Sequence, residues 1–121
     1  MRVIVLADDL IWSTRLIAQV NAAGGDAAPV RTIAALSQAL PAAGAVIVDL
    51  TARAYDGIVA VRKAADGGRR VLAVGQHDDA ELRRRALAAG AERVYAYRKL
   101  FEDGPATLAR WLEGSIEAPA P

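Results

Sequence analysis

The sequence predicts a doubly wound α/β domain: a five-stranded parallel sheet of order 2-1-3-4-5 between two layers of helices. Three observations carry that prediction. Val3-Ile4-Val5-Leu6-Ala7 and Ala45-Val46-Ile47-Val48 are short, wholly apolar runs, as strands buried on both faces require. Both runs end in acid, at Asp8–Asp9 and at Asp49. Between the apolar runs lie segments with helical apolar spacing, most opened by a capping residue and closed by glycine, so strands and helices alternate.

The first helix is capped by Asp9 or Ser13, carries Leu16, Ile17 and Val20 on one stripe, and ends at Gly24–Gly25. Ala27 to Arg31 forms the second strand, and Pro29 places it at a sheet edge. Thr32 caps a helix with Ile33, Leu36 and Leu40, stopped by Pro41 and Gly44. The third strand, 45–49, leads through Asp56–Gly57 into a helix that turns Ile58, Val61 and Ala65 inward and closes at Gly67–Gly68. Arg70 to Val74 is the fourth strand, ending at Gly75. Asp78-Asp79-Ala80-Glu81 has capping-box spacing and opens a helix with Leu82, Ala86 and Ala89 inward, closed by Gly90. Glu92 to Tyr97 is the fifth strand. Asp103-Gly104-Pro105 starts the last helix, with Leu108, Trp111 and Leu112 buried.

A length of 121 residues fits one domain, read as 1–113 with a flexible tail at 114–121. Hydrophobic residues make up 54% and aromatics only 5%, so the core rests on Val, Leu and Ile. A net charge of +1 gives no electrostatic pull toward nucleic acid or a membrane surface. The absence of cysteine excludes disulfides, thiolate nucleophiles and zinc–thiolate sites. With no signal-peptide pattern and no apolar run near about 18 residues, the reading is a cytoplasmic protein.

Order 2-1-3-4-5 makes strands 1 and 3 neighbours, so Asp8, Asp9 and Asp49 converge where open α/β sheets bind ligands. Mg²⁺ suits such a rim, and a carboxylate beside it can serve as nucleophile toward a phosphoryl group. Helix capping by one of the pair, and turn bonding by Asp49, are the structural alternatives. His77 reads as a solvent-exposed loop residue, and Arg83-Arg84-Arg85 with Arg69–Arg70 as a solvated face. Trp12, Tyr95 and Tyr97 read as packing under loops. No glycine-rich dinucleotide or P-loop signature is present.

Over roughly residues 2 to 113 the sequence resembles the receiver domain of two-component response regulators. Asp8–Asp9 matches that family's acidic pair, and Asp49 its phosphoacceptor, eight residues before the glycine of Asp56–Gly57. Asp78 to Leu82 and Ala89-Gly90-Ala91 match its fourth helix and the turn into strand 5. Two further stretches, Asp9 to Leu16 and Gly75 to Glu81, resemble small bacterial receiver-like proteins. Three positions depart from the pattern. Gly75 falls where receivers carry the switch Ser or Thr, Tyr97 falls on their Lys, and Arg53 replaces a Pro. Arg98 and Lys99 follow Tyr97, but a one-residue slip reverses a strand side chain's face.

The resemblance implies a stand-alone, non-enzymatic signal-transduction module that docks to a histidine kinase or effector protein. It also implies Mg²⁺ at Asp8, Asp9 and Asp49, with Asp49 as phosphoacceptor. The degenerate positions Gly75 and Tyr97 favour a pseudo-receiver working through protein contacts alone. A functional Mg²⁺-dependent phosphoacceptor stands as the alternative. Behind it stands a small phosphoryl-transfer enzyme, against which the contiguous Asp8–Asp9 pair argues. No nucleic acid or membrane partner is expected, and a homodimer stays open.

Overall fold

A computed structural model of the chain describes residues 1–76 and 78–114. The strands are β1 (Arg2–Leu6), β2 (Asp26–Val30), β3 (Ala45–Asp49), β4 (Arg70–Gly75) and β5 (Arg93–Ala96). The helices are α1 (Leu10–Ala22), α2 (Ile33–Ala39), α3 (Gly57–Asp66), α4 (Ala80–Ala89) and α5 (Tyr97–Glu113). A 3₁₀ turn, Leu40–Ala42, follows α2 where Pro41 prevents the helix from continuing. The strands pair in parallel in the order β2-β1-β3-β4-β5, as the sequence predicts.

Alternation along the strands divides the apolar residues between two cores. Ile4, Leu6, Val46, Val48, Val71 and Ala73 face Leu36, Val61, Ala64 and Ala86 of α2, α3 and α4. Val3, Val5, Ile47, Leu72 and Val74 face Leu16 and Val20 of α1 and Leu100, Leu108 and Trp111 of α5. The sheet is therefore dry on both faces, which is why its strands read as unbroken apolar runs.

Four helices start on a side chain that accepts an otherwise free backbone N–H. Asp9 accepts from Trp12 N, Thr32 from Ala35 N, Asp56 from Ile58 N and Val59 N, and Asp79 from Leu82 N. The α4 cap is thus Asp79 and not Asp78. Glu81 pairs with Arg84 instead of reaching back to close a capping box. In α3 the fully buried side chains are Ala60, Val61 and Ala64, with Ile58 and Ala65 only half-buried, so the stripe is rotated from the expected one.

The C-terminal end of the sheet departs further from expectation. β5 stops at Ala96, and Tyr97 begins a helix whose regular geometry breaks at Asp103 (φ −147°, ψ 36°). The expected start at Asp103-Gly104-Pro105 is this break. Pro105 lacks the N–H that a continuous helix would give to the Phe101 carbonyl, and within the same turn Gln19 Nε2 donates to the Leu100 carbonyl at 2.7 Å.

At the opposite end of the sheet, Arg70 clamps α5. Its guanidinium bonds Glu92 at 3.0 Å and the Trp111 carbonyl at 2.7 Å, and lies 5.0 Å over the Trp111 ring. Trp111 Nε1 donates to Glu92 at 2.9 Å. Burial works against a charge on Glu92, but the Arg70 and Trp111 donors and the Arg70 and Arg93 charges outweigh it and hold the carboxyl below its ordinary range. At the edge, Pro29 of β2 pairs with Val5, and Asn21 Oδ1 accepts the N–H of Ala27 at 3.1 Å. Among the described residues, no helix is long and apolar enough to cross a membrane.

Candidate functional site

Asp8, Asp9 and Asp49 line one cleft of about 580 Å³ at the carboxyl end of β1 and β3. The sheet register explains it. Leu6 lies opposite Val48, so the residues after each strand emerge side by side. The three carboxylates are engaged differently, however. Asp8 Oδ2 accepts the backbone N–H groups of Arg53 and Ala54, both at 2.9 Å, and so holds the β3–α3 loop over the cleft. Arg31 bonds the Asp8 carbonyl at 3.0 Å. Asp9, exposed, caps α1. Asp49 is almost wholly buried, at 3% exposure. Its Oδ1 accepts the Thr51 N–H and hydroxyl, both at 3.1 Å, and the Tyr97 hydroxyl. The Thr51 hydroxyl also lies against the Tyr97 oxygen, so its single proton serves either that oxygen or Asp49.

Tyr97, which sequence reasoning assigned to packing, therefore faces the centre of the site. Its ring stands edge-on to Trp12, with centroids 4.7 Å apart. Burial, then the bond to Asp49, push its phenol above its ordinary range, so the hydroxyl stays a proton donor throughout the physiological range. Arg98 points away and pairs with Glu102 at 3.4 Å, and Lys99 is exposed, so neither cation replaces Tyr97 at Asp49. Gly75 brings no side chain. A Cβ there would lie 3.4 Å from Leu50, an ordinary contact, so close packing does not explain the glycine. Hydroxyls reach Asp49 from Thr51 and Tyr97 instead.

Two residues escaped sequence reasoning. Thr51 carries that hydroxyl, and Tyr55, buried, places its own 2.9 Å from the Leu6 carbonyl and 2.8 Å from that of Asp49, tying the ends of β1 and β3 together. The only available signal was an aromatic residue just before Asp56–Gly57, which a single sequence does not distinguish from a loop tyrosine. The arginine run disperses: Arg83 bonds the Val94 carbonyl, Arg84 pairs with Glu81, and Arg69 bonds the Leu40 carbonyl. His77 lies outside the described residues.

Among the described residues, no group of three or more carboxylate or imidazole side chains stands close enough to hold a divalent cation. One oxygen of each aspartate is already taken by a protein donor. The arrangement does not fit a three-carboxylate Mg²⁺ site.

Asp8 gives a direct check on this account. The Ala54 amide, partly opposed by burial and helped by the Arg53 amide and the Arg31 charge, holds its carboxyl below the usual 3.8. The native state therefore favours the ionised form. That contribution is complete above 3.8 and fades as pH falls through the lower native value. Asp8→Ala is expected to lower the melting temperature at neutral pH by an amount that shrinks steadily on acidification. Thermal melts across the acid range check it; a pH-independent difference would assign Asp8 to packing.

No protein-family model matches the chain, and no curated protein matches it. Solved structures do. A two-component response regulator from Clostridium difficile superposes with a TM-score of 0.80 at 10% identity, over 98% of this chain and 99% of that one. The BeF3-activated DrrB receiver domain, from a Thermotoga maritima regulator, gives 0.79 at 19% identity over 93% and 97%. The signal receiver domain of a modulated diguanylate cyclase from Desulfovibrio desulfuricans gives 0.78 at 21% over 95% and 92%. At these identities the likeness concerns architecture: with its strand order and its acidic cleft at the β1–β3 switch point, the chain has the fold of the response-regulator receiver domains.

Proposed function

We propose that the chain is a receiver-fold signal-transduction module that acts through contacts with a protein partner, a histidine kinase or an effector, and that it is degenerate at Asp49. The observation that carries this reading is the Asp49 carboxylate. It lies where the resemblance puts a phosphoacceptor, yet its partners are the Thr51 and Tyr97 hydroxyls, with no cation and with glycine at position 75. A transferred phosphoryl group needs positive charge or aligned donors around its oxygens. Of the cleft's lining residues only Arg53 is cationic, and its side chain is exposed on the β3–α3 loop, while Arg98 pairs with Glu102.

A second reading, a working Mg²⁺-dependent phosphoacceptor, draws support from the meeting of Asp8, Asp9 and Asp49 in one cleft. An enzyme on this scaffold has no such support, and the proposed role is regulatory. Intact mass after incubation with acetyl phosphate and Mg²⁺, beside Asp49→Ala, separates the two. No adduct under conditions that label an ordinary receiver is the expected result. A single phosphoryl adduct lost in Asp49→Ala would establish the second reading.

A further inference from the structure

We infer that the outer face of α1, with the start of α5 beside it, is an interface between two copies of this chain, packed antiparallel about a two-fold axis at Thr14. The inference goes beyond the signalling reading and does not depend on the state of Asp49.

A surface helix ordinarily carries charge on the side it turns to water. α1 does not. Arg15 is its only charged residue, and the side chains it exposes are Leu10, Ile11, Thr14, Ala18, Asn21 and Ala22. Leu10 is 69% exposed and Ile11 78%. By contrast α3 exposes Arg62, Lys63 and Asp66, and α4 exposes Glu81, Arg84 and Arg85. The apolar surface of α1 continues onto α5. Ile11 and Arg15 are one turn apart on one face, and the Arg15 guanidinium stands 4.5 Å over the ring of Phe101, itself 66% exposed. Beside them Trp12, Tyr97 and Phe101 line an apolar cleft of about 430 Å³. A continuous exposed apolar patch with a charged rim marks a surface that another molecule covers.

Shape and charge both point to a second copy. Leu10, Thr14, Ala18 and Ala22 follow at intervals of four, and such rows are the ridges by which helices pack. This ridge is bulky at its N-terminal end and low at its C-terminal end. A two-fold axis at Thr14 sets Leu10 of each copy over Ala18 of the other, so each bulky end fills the other's hollow, as an isologous contact requires. The uncharged stripe meets its own image without like-charge repulsion. On α5, which runs parallel to α1, the same axis falls near Phe101, because Arg15 ties that ring to the middle of α1. Exposed Arg98 and Lys99 precede Phe101, and exposed Glu102 and Asp103 follow it. Antiparallel pairing therefore lays the basic end of each α5 start on the acidic end of the other. The acids' own ion pairs, to Arg98 at 3.4 Å and Arg110 at 3.9 Å, are long and exposed, and Lys99 has none among the described residues. The face is about 20 Å long and two helices wide, at or below the about 800 Å² per partner of standard interfaces, so the dimer is a weak one, with a Kd on the order of 10–500 µM.

The test is sedimentation equilibrium of the whole chain from low micromolar to about 1 mM. Wild type is expected to rise with concentration toward twice the mass of one chain. Leu10→Lys and Ala18→Glu should each weaken the association at least about tenfold. Leu87→Lys makes the same kind of change at an exposed apolar residue of α4, on the opposite face of the sheet, and should leave it unchanged. Mixing the Leu10→Lys and Ala18→Glu proteins should restore a mixed dimer, since the introduced lysine of one copy then faces the introduced glutamate of the other. A monomer at every concentration would overturn the interface. So would a dimer that Leu87→Lys weakens as much, or one that neither α1 variant weakens. A mixture that associates no better than its parts would overturn the antiparallel register, and the proposal with it. Thermal melts show whether each variant is folded; were Leu10→Lys to unfold, Ile11→Lys, on the same exposed turn, should weaken the dimer likewise.

Discussion

Trp111→Ala is expected to cost about 3–5 kcal/mol of folding stability, the range for truncating a large buried aromatic. The indole is fully buried among Leu16, Val20, Leu100 and Leu108, where one helix layer closes on the sheet. Its loss would leave a cavity that rigid strands cannot collapse to fill. It would also strip Glu92 of one donor and Arg70 of the ring it lies over. Against a typical total of about 5–15 kcal/mol, the variant should melt more than about 10 °C below wild type. Trp111→Phe keeps most of the volume and drops only the N–H, so it should lose about 1–2 kcal/mol. Urea denaturation of the three proteins checks this. Equal losses in both variants would shift the weight from volume to the Glu92 bond.

Gly90→Ala is expected to cost about 2–4 kcal/mol from two sources that can be separated. The backbone at Gly90 has φ +120°, which L side chains rarely adopt, and an added Cβ would meet the Ala65 Cβ at 2.5 Å. Gly90 is thus both the terminator of α4 and the point where α4 and α3 touch. Gly68 offers the control. Its φ is +78°, but nothing lies within 4 Å of an added Cβ, so Gly68→Ala should show the backbone cost alone, about 1 kcal/mol. Adding Ala65→Gly to Gly90→Ala should recover the clash, less about 1 kcal/mol for glycine inside a helix. No recovery would place the whole effect in the backbone.

The parts of this fold that could be read from sequence are those governed by local rules. Val3 to Leu6 and Val46 to Val48 are buried on both faces, so nothing but apolar residues suits them, and their acidic ends mark the rim. Thr32 and Asp56 cap helices because short acceptor side chains before an apolar run have one favourable use. The convergence of Asp8, Asp9 and Asp49 followed from strand order alone. What they bond to did not. Asp8 meets amides 45 and 46 residues away, and Asp49 meets a phenol 48 residues away. Such partners depend on how the loops settle, not on any spacing. The helical turn at Tyr97 was hidden for a related reason. Its N-cap is Ala96, which offers no side-chain acceptor, while Asp103-Gly104-Pro105 displays the usual start signals six residues later.

The outer side of β2 has a consequence for how this protein meets others. Asp26 gives its N–H to the Met1 carbonyl, so the alternate residues Ala27 and Pro29 face outward. Asn21 already takes the Ala27 N–H, and Pro29 has none. That margin therefore offers an incoming strand no free backbone donor between 26 and 30. Templated growth by strand addition, the route to fibrils and swapped sheets, needs such a row of donors. On this side it finds acceptors only, so the β2 margin is closed to that route.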